Sequence, residues 1–256
     1  MEMKTFTVNG IEIAYERRGS GKPLLLIHGF PFDHTAWNSV IPLLENDFDV
    51  ILPDLRGFGK SSSPESVYRI ADMAVDLAGL LGHLSIEKAA VAGHSMGGYV
   101  SLAFAKAYPN RVSGLALISS QAAADPPERK EGRYKTAQEV EEKGVGAVAD
   151  AMTPKLSANG EVQKLVRELI QKQGKPGVVG ALKAMAERED TTSILPAFDF
   201  PVVLVHGDAD ELIPLEKSEE MKTLLPASQL VVLPGAGHMP MVEFPKETAE
   251  ALKLLK

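Results

Sequence analysis

Gly93-His94-Ser95-Met96-Gly97-Gly98 sets one serine among three glycines, directly after the apolar run Ala89–Ala92 and directly before Tyr99-Val100-Ser101-Leu102-Ala103, a good helix start. A one-residue reversal from strand to helix forces the central residue into an unfavourable backbone conformation. Only side-chain-free neighbours at Gly93 and Gly97 let the flanking backbones approach. Such a corner would lift the Ser95 hydroxyl above a sheet. It would also place the Met96 N–H at a helix N-terminus, whose partial positive charge favours a developing oxyanion. The chemistry is nucleophilic, and a hydroxyl this weakly acidic needs a base, which in turn needs an orienting acid.

Six histidines are available as the base. His28 and His206 each precede a glycine at a strand end, His34 lies in a loop, His83 ends a helix, and His94 is inside the corner, aimed elsewhere than Ser95. His238, in Pro234-Gly235-Ala236-Gly237-His238-Met239-Pro240, follows the last predicted strand in a glycine-rich loop from which it can reach Ser95. The acid should lie on the loop after the preceding strand, where Asp208 and Asp210 compete and Glu211 is a third choice. The winner would accept the His238 Nδ1–H and stabilise the imidazolium. Asp208 is well placed to cap the tight turn after Gly207, which favours Asp210, and spacing alone leaves both open. A second oxyanion donor is expected from His28-Gly29-Phe30-Pro31: the Phe30 N–H facing the Met96 N–H, with Pro31 holding Phe30 extended. His28 itself reads as structural.

These groups must be carried by strand ends. Phe6–Val8 and Ile11–Tyr15 alternate around Asn9-Gly10, which predicts an opening hairpin. Pro23–Ile27, Val50–Leu52, Ala89–Ala92, Leu115–Ile118, Pro201–Val205 and Gln229–Leu233 are apolar runs of the kind buried on both faces of a sheet. Helical patterns alternate with them: Trp37–Leu44, short and interrupted by Pro42; Ile70–Leu81, with Ile70, Met73, Ala74, Leu77, Leu80 and Leu81 on one stripe; Glu216–Leu225; and a closing helix from Lys246. Alternation of this kind predicts a mostly parallel sheet. From Gln121 to Leu195 the signals are helical only: Pro126-Pro127 opening a charged helix to Lys143, then Val162–Gln171 and Val178–Glu187. The expected organisation is a core from 1–120 and 196–256 with a helical cap inserted at 121–195.

Ser95, Asp210 and His238 in that order, with HGFP, DLRGFGKS, GHSMGG, GDADELIP and GAGH along the chain, resemble the α/β-hydrolase fold over essentially the whole sequence. The resemblance implies an α/β architecture with a mostly parallel eight-stranded sheet flanked by helices. Within that superfamily the motifs look most like small bacterial esterases, cofactor-free haloperoxidase or perhydrolase-type enzymes and enol-lactonases. In that group the acid matches Asp210, and Phe30 and Met96 give the oxyanion donors. Ser95 stands where haloalkane dehalogenases and epoxide hydrolases carry aspartate, which disfavours those chemistries. Asp54 and Arg56 could touch substrate, although a turn-stabilising role is the commoner use. The expected activity is hydrolysis of small, short-acyl carboxylic esters through an acyl-enzyme, without cofactor or metal. Alternatives are hydrolysis of lactones or enol-lactones, a perhydrolase side activity, carbon–carbon hydrolysis of vinylogous diketones, and a ligand-sensing protein that kept the triad. Phe30, Met96 and Met239 are the nearest candidate substrate contacts, with Met152, Leu182 and Met185 from the insertion.

Composition bounds the rest. With 256 residues the chain fits one large domain, and a formal net charge of −7 with scattered Lys and Arg argues against nucleic acid or a membrane surface as partner. A small-molecule ester is the expected partner, and the oligomeric state is left open. Cys is absent, so disulfides, thiolate metal sites and a Cys nucleophile are excluded. The first residues alternate like a strand and hold no apolar h-region, which makes the cytoplasm the expected location.

Overall fold

A computed structural model describes residues 3–64 and 66–256. Its strands are β1 (Lys4–Val8), β2 (Ile11–Gly19), β3 (Lys22–Ile27), β4 (Phe48–Pro53), β5 (Ala89–His94), β6 (Val112–Ile118), β7 (Val202–Gly207) and β8 (Gln229–Leu233). They form one eight-stranded sheet in the order β1-β2-β4-β3-β5-β6-β7-β8. The β1–β2 and β2–β4 pairs are antiparallel and every later pair is parallel. Asn9 and Gly10 both take positive φ, 49° and 77°, the geometry of the tight turn that matches strand twist.

The helices are α1 (Ile41–Leu44), α2 (Ile70–His83), α3 (Met96–Ala107), α4 (Pro127–Lys143), α5 (Gly146–Leu156), α6 (Gly160–Gln171), α7 (Lys175–Ala186), α8 (Glu216–Leu224), α9 (Pro240–Glu243) and α10 (Pro245–Lys253). The predicted stripe of α2 is entirely buried. Trp37–Leu44 resolves into a 3-10 turn, His34–Trp37, and then α1, whose Pro42 sits in the first turn. There a missing N–H costs nothing. The sequence pattern does not predict helix α5, whose apolar residues are short-chained and whose Pro154 lies in the last turn. Helices α4 to α7 run between β6 and β7, with no strand among the described residues of that interval.

Strands β3 to β7 form the centre of the core. Leu24–Ile27, Val50–Leu52, Leu115–Ile118 and Val203–Val205 are at most 1% exposed, and Trp37, Phe32, Phe48, Phe58 and Phe104 are fully buried around them. Each such large side chain contributes about 1.5–3 kcal/mol of transfer free energy. Because β3, β5, β6, β7 and β8 are parallel, their C-terminal ends share one edge. The loops that follow β3, β5, β7 and β8 therefore converge there, where open parallel sheets place their sites.

Candidate active site

Ser95 lies between β5 and α3 with φ 51° and ψ −114°, a left-handed conformation that a serine rarely adopts. Strain of this kind costs about 1–3 kcal/mol and persists only where the surroundings enforce it. Here the Ser95 N–H donates to the Ile118 carbonyl at 2.9 Å, and the Ser120 hydroxyl donates to the Ser95 carbonyl at 2.9 Å. A Cβ on Gly93 would overlap the Gly97 carbonyl, and one on Gly97 would overlap the Ile27 carbonyl. Both glycines are therefore demanded by close backbone approach.

His238, 2% exposed, has its Nδ1 2.7 Å from Asp210 Oδ2. Asp210 Oδ1 accepts from the Leu212 and Ile213 N–H groups at 2.9 and 3.0 Å. Burial alone would push the Asp210 carboxyl up. The His238 ring, the His206 ring 3.3 Å away and the Ile213 N–H instead hold it well below the ordinary carboxylate range. Asp210 is thus an ionised acceptor, and Nδ1 of His238 carries the hydrogen that it accepts, leaving Nε2 as the basic nitrogen of the neutral ring. Asp208 does something else: its Oδ1 takes the Gly235 N–H at 2.6 Å, bracing the turn after β8 rather than the turn after Gly207. Glu211 is exposed.

Ser95 and His238 line one cavity of about 330 Å³, together with Phe30, Met152, Leu182 and Met185. Among the described residues the Ser95 hydroxyl makes no hydrogen bond. Neither the Phe30 N–H nor the Met96 N–H donates to a protein acceptor among the described residues. Met96 opens α3, whose first N–H groups have no partner within the helix. The Phe30–Pro31 peptide is cis. The Met96 and Met239 side chains, expected as substrate contacts, are fully buried in the core and are absent from the cavity wall. A position beside a site residue in sequence does not decide which way its side chain packs.

Two residues that sequence reasoning did not assign hold the histidine loop. Glu243 Oε2 accepts from the Gly237 and Met239 N–H groups at 3.0 and 3.2 Å, one on each side of His238, and its Oε1 accepts from the Ser157 hydroxyl at 2.5 Å. His94 Nε2 lies 2.7 Å from the His238 carbonyl oxygen, which can only accept, so this nitrogen carries the hydrogen. Complete burial, reinforced by the neighbouring His238 ring, pushes the His94 pKa down to about 3 and keeps the ring neutral. The His238 N–H donates to the Leu156 carbonyl at the end of α5, 2.9 Å away. No motif in the sequence marks Glu243 or the Leu156 carbonyl, which act only through their position in space.

The other polar candidates are structural. The Leu55 N–H donates to His28 Nε2 at 2.9 Å, and burial lowers the His28 pKa. Arg56 makes a two-pronged pair with Asp76, at 2.7 Å on each side. Asp54 takes the His34 and Lys60 N–H groups, each at 2.8 Å, and neither Asp54 nor Arg56 lines the cavity. Asp33, His34 and Asp54 place potential metal-ligating atoms within 4.8 Å of one another. Their oxygens are already engaged by Thr35, Gln173, His34 and Lys60. A second cavity, of about 970 Å³, lies between the start of α2 and the end of α7, contains none of the candidate catalytic groups and shares only Tyr99 with the first. Among the described residues no helix is long and apolar enough to cross a membrane.

The parallel sheet, the strained serine after β5 and the acid and histidine after β7 and β8 describe a well-known class. Residues 22–245 match the family model described as alpha/beta hydrolase fold, and the chain belongs to that family. A malate-bound thermophilic esterase from Thermogutta terrifontis is similar with a TM-score of 0.94 and 40% identity, covering 99% of this chain and 97% of that one. A bromoperoxidase from Bacillus anthracis is similar with a TM-score of 0.88 and 25% identity, covering 99% of each chain. An enol-lactonase from Burkholderia xenovorans LB400 shares the fold, with a TM-score of 0.91 at 24% identity over 98% of this chain and 99% of that one.

Proposed function

We propose that this protein is a serine carboxylic-ester hydrolase acting on small esters through an acyl-enzyme. One observation carries the reading: the Asp210–His238 pair, 2.7 Å apart, opens on the same cavity as a serine held at φ 51°. In the proposed reaction Ser95 Oγ attacks the ester carbonyl carbon while His238 Nε2 takes its proton. The Phe30 and Met96 N–H groups receive the oxyanion, and Asp210 stabilises the imidazolium without taking its proton. The tetrahedral intermediate collapses, the alcohol leaves with the proton from Nε2, and water repeats the sequence on the acyl-enzyme to release the acid.

A cavity of about 330 Å³ suits a short-acyl ester, since clefts that hold drug-sized ligands extend to ~1,000 Å³. Helices α4 to α7, within the stretch 121–195, are the cap of this proposal, and they supply Met152, Leu182 and Met185 to the cavity wall. The esterase activity named for the Thermogutta relative supports the reaction class, because that similarity spans nearly both chains. Ser95→Ala is expected to lower kcat on a short-chain aryl ester by about 10⁶-fold, by analogy with other serine triads. A purified, folded variant with ordinary turnover would remove the proposal. Rates on lactones of matched size, measured beside linear esters, assign the preferred substrate form.

A further inference from the structure

The wall of the Ser95 cavity carries a charge opposite to that of its chain. Acidic side chains outnumber basic ones 34 to 27 in the sequence. Yet the lining includes Arg129, Arg133 and Lys155 and, among the described residues, no carboxylate. All three cations come from α4 and α5. One carboxylate stands behind them: Asp125, its side chain fully buried, lies 3.6 Å from Arg129 Nε and 2.7 Å from Arg188 Nη1 and is ion-paired with Arg133. Burial alone would push its carboxyl up, but Arg133 and Arg188 hold it below its ordinary value, so it stays ionised.

A single negative charge shared by three guanidiniums leaves the group positive. Lys155, exposed at the cavity, has no ion-pair partner among the described residues. Arg133 Nη1 meets only the Met185 Sδ at 3.4 Å, a weak acceptor that itself lines the cavity. Arg133 spends Nε and Nη2 on Asp125, and Arg129 Nη2 donates to the Leu212 carbonyl at 3.1 Å, so it is the Nη1 hydrogens of the two guanidiniums that have no oxygen acceptor among the described residues. A cleft walled by one sign of charge concentrates ligands of the other sign, and a guanidinium fork receives a carboxylate with directed hydrogen bonds.

Resting on the ester-hydrolase reading above, we propose that the cavity selects esters carrying a second, ionised carboxyl group. In this arrangement Arg133, Arg129 and Lys155 receive the carboxylate while Ser95 takes the ester carbonyl. A half-ester of a short dicarboxylic acid meets both the charge and the volume of about 330 Å³. Its hydrolysis consumes one water, breaks the acyl–oxygen bond and yields the alcohol, the dicarboxylate and one proton.

The test compares kcat/KM for monoethyl adipate with that for neutral ethyl hexanoate, by pH-stat at about pH 7.5, where a carboxyl is fully ionised. The half-ester is expected to be preferred by about 10-fold at low salt, and the preference to shrink several-fold in about 0.5 M NaCl, where charges are screened within ~4 Å. Lys155→Gln and Arg129→Gln should each lower the ratio by roughly 3- to 10-fold. Because both esters are assayed on one preparation, the folded fraction cancels. Equal or better turnover of the neutral ester, or a ratio that neither variant changes, overturns the inference. If that neutral turnover depends on Ser95, the hydrolase reading stands alone. If turnover of both esters survives Ser95→Ala, the hydrolase reading falls, and this one with it.

Discussion

The two sides of the cavity are built differently. On the sheet side each candidate reacting group is held by short hydrogen bonds to backbone or to buried side chains. Ser95 is tied to Ile118, His238 is bonded through its N–H, its carbonyl and its ring, and Asp210 is gripped by two successive N–H groups. The α4, α5 and α7 side presents the ends of longer side chains, Arg129, Arg133, Met152, Lys155, Leu182 and Met185. Among these Lys155 is exposed and Arg129 half-buried. A hydrogen-bonded floor preserves site geometry, and a roof of side-chain ends can vary its shape and charge without moving the floor. The two are joined at the Leu156 carbonyl, which holds His238, and at the Ser157–Glu243 hydrogen bond of 2.5 Å.

Substitutions should separate floor from roof. The largest effect lies on the floor: Asp210→Asn is expected to lower kcat by about 10⁴-fold, because the amide no longer fixes the productive tautomer of His238. Asp208→Asn, which touches only the turn after β8, should stay within about 3-fold. Steady-state kinetics on both variants, with melting curves as a check, would break the assignment if the two losses were similar.

Next comes a dependence of stability on pH that belongs to the floor. His94 has a folded pKa of about 3, below the ~6.5 of an unfolded histidine. Below ~6.5 the unfolded chain binds a proton that the native ring refuses, so stability falls as pH drops through that value and continues to fall until the folded pKa is reached. The slope is up to about 1.4 kcal/mol per pH unit, giving roughly 2 kcal/mol by pH 5. His28, also lowered by burial, adds in the same direction. Urea unfolding at about pH 7 and pH 5 measures the loss. His94→Gln should flatten it, and an unchanged slope would contradict the buried neutral ring.

The smallest effect belongs to the roof. Leu182→Ala enlarges the cavity wall without touching a hydrogen bond of the floor. It should move the acyl-length optimum upward by one or two carbons while kcat on an acetyl ester changes by less than about 3-fold. A larger loss on the acetyl ester would mean that the roof also positions the reacting atoms.

Local signals carried much of this structure. The apolar runs that become β3 to β8, the stripe of α2, the Asn9-Gly10 turn and the glycines around Ser95 each express a constraint acting over a few residues. Helix α5 was not legible, since its short apolar side chains and Pro154 send conflicting local signals that packing against α4 and α6 overrides. Turn chemistry favours Asp210 over Asp208 without deciding between them, and only the folded chain displays the 2.7 Å contact of Asp210 with His238. Adjacency in sequence points to Met96 and Met239 as wall residues, yet it does not define side-chain direction, and both side chains pack in the core.

The sequence by itself determined the succession of strands and of most helices, the strained corner at Ser95 and the short set of groups able to serve it. Backbone sterics and hydrophobic periodicity are local, and local physics is written in neighbouring residues. Tertiary structure alone decided that Glu243 and the Leu156 carbonyl brace His238, that His94 stays neutral beneath it, and that three cations of an acidic chain gather on one cavity wall. Those outcomes depend on which distant segments meet once the parallel strands bring their ends to a common edge.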